Sequence, residues 1–199
     1  MTGNKRNFAE VIESSLQQCI AQVWQWNNSP SFGSLVVIHD DQYPLIGVVH
    51  QIRIGSSDPG RIPFAYQKTP EELQSEQPHI FNFLKTTVSI LILGYIEKKV
   101  ITYTIAPRPA PIHAFVQLAP PDILTQFFSE IDFMHCLFGI HSSISGIDEL
   151  LCAMLHVYLH YLNKMTIRDI LYAYMLLIGG DYKRIRILAR RITSLTLMQ

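Results

Sequence analysis

The sequence predicts an α+β fold: a leading amphipathic helix, a small closed β-barrel of Greek-key type, and a C-terminal helical bundle. Three observations predict it. Apolar residues recur at three- and four-residue spacing over 8–23, β-branched runs separated by turn formers fill 35–118, and a helical period takes over from Pro120. The implied segments are 1–29, 30–119 and 120–199. With 199 residues, 48% of them apolar, the chain has ample core material for such a fold.

The leading helix rests on Phe8, Val11, Ile12, Leu16, Cys19, Ile20 and Val23, with Glu10, Glu13, Ser14, Gln17 and Gln18 between them. It should stop near Trp26, because Asn27-Asn28-Ser29-Pro30 is dense in turn formers and proline cannot extend a helical ladder. Leu35-Val36-Val37-Ile38 and 43–49 read as strands joined by the hairpin-sized linker His39-Asp40-Asp41-Gln42. The second strand continues through the alternating Gln51-Ile52-Arg53-Ile54, and Gly47 within it suits a bulge. A polar, proline-containing excursion follows from Gly55 to His79, with a short helix expected over 70–74.

Residues 86–96 and 100–105 form a second hairpin around Glu97-Lys98-Lys99. Pro107, Pro109 and Pro111 then force an extended segment, and 112–118 is the last strand. Strands joined by connections of this length favour closure over an open sheet. Pro121 and Asp122 begin the helical part with a proline and an acid in the first turn, where both are favourable. Ser145 to Asp148 and Thr166 to Asp169 resemble capping boxes, Gly179-Gly180 is a stop, and Asp181 caps a final helix running to about Leu197.

Composition narrows the function classes. The 16 basic and 16 acidic residues cancel, so net charge draws the chain toward neither nucleic acid nor an anionic membrane. Cys19, Cys136 and Cys152 are odd in number and set among apolar neighbours, which fits buried thiols and a cytoplasmic location. The apolar runs 150–162 and 170–178 are too short to span a bilayer and are broken by His156, His160, Asn163 and Arg168, so no membrane partner is expected.

Residues 34–54, the excursion, Val88 to Ile96 with its Leu93-Gly94-Tyr95 ending, the three prolines and Phe115-Val116-Gln117-Leu118-Ala119 together resemble the HAS barrel. That small β-barrel is named for its occurrence in HerA-type DNA translocases and in the catalytic subunits of rotary ATP synthases. In that family the barrel stands at the N-terminal end of a hexameric ATPase ring, holds subunits together and docks partners such as a nuclease. The resemblance implies assembly or docking, with an ATPase or nuclease as a partner. It does not carry ATPase activity over, because no Gly-x-x-x-x-Gly-Lys-[Ser/Thr] loop exists to cradle phosphates.

No catalytic, cofactor or metal site is expected, and no small-molecule substrate. His156 and His160 have the spacing of two ligands on one helix face, but lack the glutamate of a zinc-protease motif and a third ligand; His135, Cys136 and His141 add number without spacing. Asp40-Asp41 with His39, and Glu71-Glu72 with Glu76, read as solvated turns. Two contact surfaces stand out. Lys183, Arg184, Arg186, Arg190 and Arg191 place five of the 16 basic residues on one helix, opposite the stripe Ile185, Leu188, Ile192 and Leu195, a face for an acidic protein surface or for nucleic acid. Trp24 and Trp26, two apart near a helix end, cannot share a face, which leaves one exposed as a protein-contact anchor. The leading expectation is a non-enzymatic assembly or docking protein that self-associates or binds a protein; the alternative is a nucleic-acid-binding accessory protein working through the basic last helix.

Overall fold

The computed structural model describes residues 7–58, 60, 63–140, 146–161 and 164–197. Ser145 and His141 lie outside the described residues. Seven strands, β1 (Asn7–Ser14), β2 (Gln18–Val23), β3 (Leu35–Ile38), β4 (Leu45–Ser56), β5 (Leu84–Glu97), β6 (Val100–Thr102) and β7 (Phe115–Leu118), form one antiparallel sheet in the order β2-β1-β7-β3-β4-β5-β6. Strand β2 also pairs with β5, so the sheet is partly ringed.

The expected N-terminal helix is instead the β1–β2 hairpin. Ala9 and Val11 on β1, and Cys19, Ala21 and Val23 on β2, are buried, whereas Ile12 and Leu16 from the supposed helical stripe are 44% exposed. The period is two, and the three- and four-residue spacing arose from adding apolar residues on the outer faces. The turn supplies its own closure: Ser15 Oγ donates to the Gln18 carbonyl at 2.9 Å and accepts from the Gln18 N–H at 3.2 Å. Both strands then gain partners across the ring, β1 from β7 and β2 from β5. A lone helix at this place would have no such pairing.

The remaining strands follow the sequence closely. β4 shifts register between Ile46 and Gly47 against β5, the expected bulge. A Cβ on Gly47 would stand 2.4 Å from Ile90 Cγ2 and 2.7 Å from the Leu91 carbonyl oxygen, so the close approach admits only glycine. Between β4 and β5 the excursion contains α1 (Pro70–Glu76) and a 3₁₀ turn (Pro78–Phe83). Thr69 and Glu72 cap α1 reciprocally, and Ser57 N–H donates to the Phe83 carbonyl at 2.7 Å to close the excursion's base.

After β7 come α2 (Pro121–Phe127), α3 (Phe133–His135) running into a π turn (Cys136–Ile140), α4 (Ile147–Val157), a 3₁₀ turn (Leu159–Tyr161), α5 (Lys164–Leu177) and α6 (Tyr182–Leu197). Proline and Asp122 open α2 as expected. The cap of α4 is Gly146 in a left-handed conformation, and α5 begins at Lys164, ahead of the expected cap at Thr166. Asp181 does cap α6, its Oδ1 accepting from the N–H groups of Lys183 and Arg184 at 3.1 and 3.2 Å.

Two cores result. One face of the ringed strands gathers Ala9, Val11, Cys19, Val36, Ile38, Ile90, Ile92 and Val116 with Ala106 and Ala110 of the proline segment. The opposite face, through Leu35, Val37, Ile46, Val48, Leu91 and Leu93, packs on Phe127, Phe133, Leu151, Met154 and other helical residues. All four residues of β3 are therefore buried, which explains its unbroken apolar run. Among the described residues, no helix is long and apolar enough to cross a membrane.

Candidate functional site

The five basic residues of α6 divide into two groups. Arg184 forms a two-pronged pair with Asp148, Nε to Oδ2 at 3.0 Å and a terminal nitrogen to Oδ1 at 2.8 Å, and Arg191 pairs with Glu149. Both carboxylates belong to the first turn of α4, so these arginines fasten one helix to another. Lys183, Arg186 and Arg190 form no ion pair among the described residues; with Tyr182 and Ile187 they line an open groove of about 600 Å³. Ile185, Leu188 and Ile192 face the core as the stripe requires, and the Leu195 side chain lies outside the described residues.

A second region is built by the excursion against the end of β2. Phe64, Tyr66, Leu73, Ile80 and Phe83 line an apolar cleft of about 550 Å³. Phe64 is 68% exposed and rests on the Tyr66 ring at 4.2 Å between centroids. Directly beside it is a polar groove of about 460 Å³, and Phe81 and Leu84 line both. Trp24 and Trp26 stand together on this polar groove. They follow a strand rather than ending a helix, so the expectation that they diverge does not apply.

Both indoles are held in place. Trp24 is half exposed, meets Phe115 edge to face at 5.7 Å and donates from Nε1 to Glu10 at 3.1 Å. Trp26 stacks on Phe81 at 5.6 Å and 17°, while its carbonyl accepts a hydrogen bond from Thr86 Oγ1. The aromatic content of the excursion escaped the sequence reading because Phe64-Ala65-Tyr66 and Ile80-Phe81-Asn82-Phe83 have no helical or strand period. Their signal was composition alone: Phe64, Tyr66, Ile80, Phe81 and Phe83 place five large apolar side chains at the two ends of a largely polar segment.

No protein-family model and no curated protein matches the chain. The site must therefore be argued from its own chemistry.

The other candidates take structural places. α4 ends at Val157, so His156 and His160 do not share a helix; His160 lies in the following 3₁₀ turn against the Tyr161 ring, 4.3 Å away. Among the described residues, no three His, Cys, Asp or Glu side chains are placed to hold a metal ion. Burial pushes the Cys19 thiol up to about 12 and that of Cys136 up to about 11, so neither is a thiolate near neutrality. Asp40 is not a solvated turn residue. Its side chain is 4% exposed and accepts from Arg108 at 2.8 Å and from the N–H groups of Gln42 and Tyr43 at 2.8 and 2.7 Å.

Proposed function

We infer that this chain is a non-enzymatic assembly or docking protein whose strands form a closed, HAS-like barrel and whose helices complete the module in place of a motor. The run of pairings that returns from β5 to β2 supports the barrel reading. One observation carries the docking role. The excursion holds a cleft of about 550 Å³ lined by aromatic and aliphatic side chains, with Phe64 left largely in solvent. An exposed apolar surface of this kind is what a protein partner covers. The three thiols, none of them in a disulfide, accord with a cytoplasmic setting.

The test is light scattering and partner capture with wild type and Phe64→Ser. A protein partner or self-association lost in the variant is expected; a strictly monomeric chain that binds no protein overturns the reading.

Lys183, Arg186 and Arg190, which form no ion pair among the described residues and lie along one groove, favour a second reading, binding of nucleic acid through α6. It is the weaker one, since Arg184 and Arg191 already neutralise carboxylates of α4. Salt-sensitive binding of DNA or RNA that disappears in Arg186→Glu/Arg190→Glu would support it, and binding insensitive to salt would remove it.

A further inference from the structure

Where strands border the two adjoining grooves, their main chain is already paired. Val23 of β2 pairs with Ala9 on one side and Thr86 on the other, and β5 at Leu84 and Thr87 pairs with Ser56 and Arg53 of β4. A partner therefore cannot add a strand to β2 or β5 here, and recognition falls to side chains. The side chains available in the polar groove are carboxamides. Gln22, Gln25, Asn27, Gln74 and Asn82 all line it, and none of the five amides spends its side chain on a hydrogen bond to another described residue. Each can donate and accept, and they surround two tryptophans whose own positions are fixed by Glu10 and Phe81.

Charge selects the ligand class. Among the described residues lining the two grooves, the basic side chains are His79 and Lys85, and none is Asp or Glu. One lysine cannot compensate a phosphate backbone, which counts against a nucleic acid. A groove with so little charge, lined by amides that donate as well as accept, complements an uncharged ligand whose main-chain carbonyls lack partners of their own. A polyproline II segment is such a ligand, having no internal hydrogen bonds and little conformational entropy left to lose. The neighbouring cleft, which shares Phe81 and Leu84 with this groove, is lined to take an apolar side chain.

We propose that the two grooves form one track for an extended, uncharged, proline-bearing segment of a partner protein. An apolar residue enters the cleft beside Phe64 and Phe83, and the carboxamides near Trp24 and Trp26 hold the following carbonyls. This rests on the docking reading and specifies the partner. The test is selection of a random displayed peptide library on the full chain, followed by fluorescence-polarisation titration of an enriched peptide. The expected result is enrichment of uncharged, proline-bearing sequences.

Their binding should weaken about tenfold in Gln25→Ala/Asn82→Ala, which removes two exposed amides without touching the core. Lys183→Glu should leave it unchanged. Enrichment of charged or helix-forming sequences, or binding indifferent to the amide variant, overturns the proposal. Peptides lost in Phe64→Ser but not in the amide variant leave docking standing and remove the extended segment. If no peptide is enriched and the chain captures no protein, both fall.

Discussion

Asp40 shows how one side chain can hold a sheet's connections in place. Its carboxylate sits in the turn between β3 and β4, yet it reaches across to Arg108 in the proline segment, whose guanidinium lies 5.8 Å from the centre of the Tyr43 ring. Burial alone would raise its pKa; the Arg108 hydrogen bond and the N–H groups of Tyr43 and Gln42 outweigh that and hold the carboxyl below its ordinary 3.8. A folded-state pKa below the unfolded one means the unfolded chain binds the proton more readily. The stabilisation is thus complete above about pH 4 and fades as pH falls through the lowered folded pKa. Asp40→Ala should cost about 2 kcal/mol at neutral pH in urea denaturation, from loss of a charge-assisted bond and two turn bonds. Asp40→Asn, which keeps an acceptor, should cost less. The difference between wild type and Asp40→Ala should shrink below pH 4, and an unchanged difference there would refute the assignment.

Among the elements, α6 illustrates why basic residues on one helix need not share one role. Arg184 and Arg191 are committed to α4, and Lys183, Arg186 and Arg190 are not. Arg184→Ala should lower stability by about 1 kcal/mol, a value kept small because the pair is partly exposed. Lys183→Ala should stay within about 0.5 kcal/mol of wild type. Thermal melts of the two variants decide this, and equal losses would mean that the arginine pair contributes nothing.

The same scale explains what the sequence disclosed. The short helix at 70–74 and the start of α2 were legible because each depends on residues within a few positions of one another, and the Gly47 bulge because a glycine inside a β-branched run is itself the signal. The β1–β2 hairpin was not, since its strand identity comes from pairing with β5 and β7 far along the chain. The amide-and-tryptophan groove was hidden for a related reason: Gln22 and Asn82 meet only when the excursion folds back over β2.

At the level of the whole molecule, the sheet and the helices share a core, and this sets their folding behaviour. Leu35, Val37, Ile46, Val48, Leu91 and Leu93 are covered by residues of the helical part rather than by other strands. The seam is also polar at one point, where the Leu35 N–H donates to the Tyr158 hydroxyl at 2.7 Å. It is close at another: Gly33 has a φ of +85°, and a Cβ there would lie 2.7 Å from the Met154 backbone nitrogen. Tyr158→Phe leaves a buried donor without its acceptor and should cost about 1–3 kcal/mol. A segment ending at residue 119 should fare far worse, because it exposes that apolar face to water, as a contiguous patch and not as scattered side chains. The expected behaviour is one cooperative unfolding transition for the intact chain, followed alike by strand and helix signals in circular dichroism. The isolated segment 1–119 should bind ANS and aggregate. If instead 1–119 is monomeric with a cooperative melt of its own, the helices are a separable attachment, and the shared core does not hold the two parts to a common stability.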